Sequence, residues 1–271
     1  MTPDATDDTV GGDDDPAPVL IGGVSQLYQG DLDLGRRVVE ELEASPPAGV
    51  RVEDLYYGAV AVAQRLAELT PSMLVLVGAE SRGRTPGAIE RRRIAGLDLA
   101  DHEVQVAVGD AVTGYVGIDL IVEVAWGLGV LPARTVALEM EPVTSGPGTE
   151  LSPAGERALQ RLVELASVEA QRAPLLRLTD ELRDLLALEP LEGAGASQAL
   201  QDLLAGVDQL DHDGRWAGTF GARDRLRLAI SDGDVPEQMT GLHWGLVWGL
   251  IEELDRLQAL DVAAASEQPP G

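Results

Sequence analysis

Short apolar runs alternate with amphipathic stretches from residue 19 to about residue 166, and this alternation limits the possible folds more than any other feature. The first unit, VLIGGVSQLYQGDLDLGRRVVEEL, is the one around which the rest is organised. Val19, Leu20 and Ile21 read as a buried strand, residues 24–33 as a polar loop, and Leu34, Val38, Val39 and Leu42 as the apolar stripe of a helix. Pro46 and Pro47 end that helix, and Val50, Val52 and Leu55 suggest a second strand. A helix is expected over 59–69. The most strand-like run, MLVLV at 73–77, lies between Pro71 and Gly78. GAESRGRTPGAIERRRI then forms a loop leading to a possible strand. EVQVAV at 103–108 alternates and predicts another, followed by a helix at 118–128, a strand at 135–140 and a helix from 153. The expected fold is α/β: a doubly wound, mainly parallel twisted sheet with helices on both faces.

Beyond residue 168 the strand signal fades. Residues 174–188 and 197–210 are Leu-rich with helical spacing, 192–197 reads as a linker, and 216–230 and 236–260 suggest two more helices. The expected organisation is a disordered acidic tail at 1–17, an α/β domain at 18–168, an all-helical domain or extension at 169–262, and a disordered end at 263–271. Along 236–260, Met239, Leu242, Leu246, Leu250 and Leu257 share one face, while Trp244 and Trp248 fall nearly opposite. Trp is a frequent interface anchor, so Trp244 and Trp248 are candidate partner-binding residues. Packing within the helical region beside Trp216 and Phe220 is the other reading.

Charge and composition exclude several function classes. A formal charge of −26, with every basic residue an Arg, repels nucleic acid and anionic membranes. With no Cys there are no disulfides, thiolate metal sites or Cys nucleophile. No apolar run reaches the roughly 18 residues needed to span a bilayer, and the acidic start is unlike a signal peptide. The cytoplasm is the expected compartment.

The first loop has neither G-x-G-x-x-G nor a Walker lysine, so it does not read as a phosphate cradle. Its Asp31 and Asp33 suit a cation or a protein partner, or else cap the following helix. Glu80 follows the central strand. Of the three histidines, His102 is expected in a surface loop before a strand, His212 in a polar turn and His243 in the last helix. There is no G-x-S-x-G elbow and no H-E-x-x-H. Three consecutive arginines, Arg91 to Arg93, could grip an acidic segment, although a solvated loop is the plainer reading.

Four stretches resemble the [NiFe]-hydrogenase maturation endopeptidases. In the first loop, Gly30, Asp31, Gly35, Arg37 and Val38 fit the later part of the family's opening pattern, roughly G-N-x-L-x-G-D-[DE]-G-x-G-x-R-V. LVLVGAESRGRTPGAI at 74–89 is similar to its central strand and P-G turn. DLIVEVAWGLGVLPARTVALEMEP resembles its later helix, Leu-Pro turn and final strand, and ELSPAGERALQRLVEL its closing helix. The four lie in the family's order across residues 18–168.

The resemblance implies an α/β sandwich and, as partner, a [NiFe]-hydrogenase large subunit or its precursor, whose C-terminal tail such enzymes remove once nickel is in place. It also implies that nickel is sensed by an acidic residue in the first loop, an Asp after the central strand and a His before the later helix. Carried onto this chain, those positions fall on Leu32, Gly78 and Gly114, none with a metal-donating side chain. No stably bound cofactor is expected, and the only nickel implied is the partner's. Three readings follow: a non-catalytic assembly or checkpoint factor, an active endopeptidase with a displaced acidic metal site at Asp31, Asp33 and Glu80, or an interaction protein unrelated to hydrogenase.

Overall fold

The computed structural model describes residues 18–94, 97, 99–111, 116–187, 201, 204–205, 221, 224–225, 245–254 and 256. Five strands form one sheet: β1 (Val19–Val24), β2 (Val50–Asp54), β3 (Met73–Ala79), β4 (Ile89–Ile94) and β5 (Thr135–Met140), in the order β2-β1-β3-β5-β4. The β1–β2, β1–β3 and β3–β5 pairs are parallel, whereas β4 runs antiparallel to β5 at the edge. The parallel strands β1, β3 and β5 are buried along their whole length. This is why they read as continuous apolar runs rather than alternating ones.

Helix α1 (Leu34–Ala44) packs on one face of the sheet, against β1, β2 and β3. Gly35 is what lets it sit so low. A Cβ at Gly35 would lie 2.3 Å from the Val24 carbonyl oxygen and 2.6 Å from that of Val77, and one at Gly23 would lie 2.4 Å from the Gly35 oxygen. On the other side, α2 (Ala59–Leu69) and α4 (Ile118–Gly127) join Leu20, Leu74, Leu76 and Ala137 of the sheet in the main apolar core.

The strand expected at 103–108 is instead part of helix α3 (Asp101–Ala111), and His102 lies in its first turn rather than in a loop before a strand. The apolar residues there satisfy two periods at once. Val104, Ala107, Val108 and Ala111 recur at three and four residues and face the core, and Val106 is left 60% exposed. Packing on α4 selects the helical period: Val104 lies where a Cβ on Gly127 would collide with it, at 2.2 Å.

The chain divides into two compact units at residue 166. Helix α5 (Pro153–Gln171) runs through the division, and α6 (Ala173–Ala187) follows it. Among the other described residues of the second unit, 245–254 are helical. Val247, Leu250, Ile251 and Leu254 are buried there, and Trp248 is 54% exposed on the other side. Trp244, Trp216, Phe220, the 192–197 stretch and both chain ends lie outside the described residues. Among the described residues, no helix is long and apolar enough to cross a membrane.

Candidate functional site

The order β2-β1-β3-β5-β4 reverses direction between β1 and β3, and crevices at such switch points, beyond the carboxyl ends of the strands, are where open α/β sheets usually bind ligands. Three of the residues singled out by sequence, Asp31, Asp33 and Glu80, come from the segments that leave these two strands.

Asp31 is fully buried in the short 3-10 turn Gly30–Asp33. Its carboxylate accepts hydrogen bonds from the backbone N–H groups of Val143 (2.9 Å), Thr144 (3.1 Å) and Ser152 (2.7 Å) and from the Ser152 hydroxyl (2.9 Å). The backbone joins in, as Gly30 N–H donates to the Gly148 carbonyl and Gly148 N–H to that of Tyr28. The first loop and the loop after β5 are thereby laced into one layer. Burial alone would raise the Asp31 carboxyl, but these bonds outweigh it and hold the group below the usual aspartate range.

Asp33 is buried too, and accepts from Arg36 through Nε (2.9 Å) and Nη2, with Arg37 nearby at 3.8 Å. Neither aspartate caps α1 with its side chain. The cap comes from farther back in the loop: the Ser25 hydroxyl accepts the Arg36 backbone N–H at 2.6 Å. Glu80 performs the same task elsewhere, its Oε1 accepting the Ile118 N–H at the start of α4 at 2.6 Å. Burial pushes the Glu80 carboxyl up. The three carboxylates are thus each engaged with a different piece of backbone or a different arginine. Among the described residues, no group of three His, Asp or Glu side chains gathers as a metal site would require.

Beside Glu80 lies a charge network of which sequence reasoning noted only Arg91 to Arg93, and these lie on β4 rather than in a solvated loop. Glu139 of β5 is 1% exposed and accepts from three guanidinium groups: Arg82 (2.9 and 3.0 Å), Arg84 (3.2 Å) and Arg92 of β4 (2.7 and 3.2 Å). Asp119 of α4 receives Arg82 and Arg92 as well, at 2.5 to 2.9 Å. Glu141 accepts the backbone N–H groups of Arg82 and Gly83 and the Arg84 Nε. The Arg82 hydrogen bond, with the charges of Arg82 and Arg92, holds Asp119 below its ordinary value, and for Glu139 the same two arginines overcome the upward push of burial. A signal for this network was present in the sequence: Arg82 and Arg84, two apart in a Gly-rich loop of an acidic chain, and two glutamates, Glu139 near the end of an apolar strand and Glu141 just past it.

No protein-family model matches the chain, and no curated protein matches it. Solved structures do. Those it is similar to include hydrogenase maturation peptidases. One, a hydrogenase 2 maturation peptidase from Thaumarchaeota archaeon SCGC_AB-539-E09, is 24% identical, with 55% of this chain and 95% of that one covered and a TM-score of 0.39. An endopeptidase from Escherichia coli is 20% identical over 57% of this chain and 92% of its own, with a TM-score of 0.44. A [NiFe] hydrogenase maturation protease from Thermococcus kodakarensis KOD1 is 17% identical over 57% and 93%, with a TM-score of 0.41.

Of the three positions to which the resemblance assigns nickel sensing, Gly114 lies outside the described residues. Leu32 sits inside the 3-10 turn, its backbone bonded to Gln26 and Gln29. Gly78 lies on β3 in register with Val24, where a Cβ would fall 2.7 Å from the Val24 carbonyl oxygen.

Proposed function

We propose that this protein binds a [NiFe]-hydrogenase large subunit or its precursor as an assembly or checkpoint factor, and does not itself remove the C-terminal tail. The partner class rests on the four stretches in family order along residues 18–168. The loss of cleavage rests above all on Gly78. At that point β1 and β3 approach so closely that any side chain would strike the Val24 carbonyl, so the position has no room for a metal-donating group. The remaining carboxylates do not compensate. Asp31 already accepts four hydrogen bonds from the 143–152 loop, Asp33 serves Arg36, and Glu80 caps α4. A donor set for nickel therefore does not fit these residues, and no step of a reaction is assigned to them. Trp248, exposed on its helix, is a candidate part of the partner-binding surface.

The test is incubation of the full chain with nickel-loaded large-subunit precursor from its own organism, followed by size-exclusion chromatography and mass spectrometry. Co-elution with the precursor at its full mass is expected. Loss of the C-terminal tail would restore the peptidase reading, with Asp31→Ala and Glu80→Ala as the variants to try next. Absence of both would remove the hydrogenase subunit as the partner.

A further inference from the structure

We draw no further inference here: the strongest candidate, the open cavity between the first loop, α1 and the end of β2, where the exposed rings of Tyr28 and Tyr56 stand over Glu40, Glu43 and Asp54, is an acidic cluster from which the unpartnered Asp54 oxygen is sealed, and nothing in the structure shows what covers it.

Discussion

Glu139 and Asp54 both sit at the carboxyl ends of strands in one sheet, and they are treated in opposite ways. Glu139 is surrounded by three guanidinium groups, while Asp54 keeps one buried oxygen with no partner. The difference lies in the supply of cations. The loop after β3 delivers Arg82 and Arg84, and β4 adds Arg92, so the β5 side of the sheet is saturated. On the β2 side, Arg36 is consumed by its own helix neighbours Asp33 and Glu40 before it can serve Asp54. A charge that is fully paired inside the protein holds the fold together, whereas one buried without a partner weakens it.

Four substitutions sharpen that contrast. Asp31→Ala should be the most damaging, because three backbone N–H groups and a hydroxyl lose their acceptor at once. A loss of about 4 kcal/mol is expected in urea unfolding. Gly78→Asp, which supplies the side chain that the resemblance implies at this position, should cost about 3 kcal/mol through the clash with Val24 and, under the proposed function, produce no cleavage of the precursor. Glu139→Gln should cost about 2 kcal/mol, less than a sealed ion pair would, because the three arginines are partly open to water. Asp54→Asn should do the reverse and stabilise the protein by ~1 kcal/mol at pH 7.5, a figure reduced from the full linkage value because the cavity is open to solvent.

The pH dependence follows from the same contrast. The folded state holds a proton on Asp54 up to about 6, after the unfolded chain has released it. Asp54 therefore lowers stability as pH rises from the ordinary aspartate range to about 6, and it has no further effect above that. Asp31 works in the other direction. Its lowered value contributes stability above the ordinary range, which is lost as pH falls through the folded-state value. Urea titrations of wild type and Asp54→Asn across pH 4 to 7.5 should converge at the acid end and separate above it.

Much of the fold was legible because buried parallel strands carry continuous apolar runs and helices carry stripes. The start of Val19–Val24, where the apolar run stops at Gly22 and the strand continues to Val24, and all of Ala59–Leu69 and Thr135–Met140 were readable for that reason. Val104, Val106 and Val108 misled because their spacing satisfies a strand and a helix together, and only contact with α4 decides between them. The site was less legible. Asp31 and Glu80 were visible as acidic residues in strategic loops. Their hydrogen-bonding partners at Val143, Thr144, Ser152 and Ile118 are 38 to 121 residues away, and no local pattern encodes them. Asp54 drew no notice at all, since a single acid at the end of a strand is ordinary until its missing partner is seen.

The most direct test of the contrast is a carboxyl ¹³C NMR titration of the Asp and Glu side chains in the full-length protein. The account predicts that Asp54 titrates near pH 6 while Asp31, Asp119 and Glu139 remain ionised below their usual ranges. An Asp54 midpoint in the ordinary aspartate range, or an Asp31 that titrates with it, would contradict the division between paired and unpaired carboxylates.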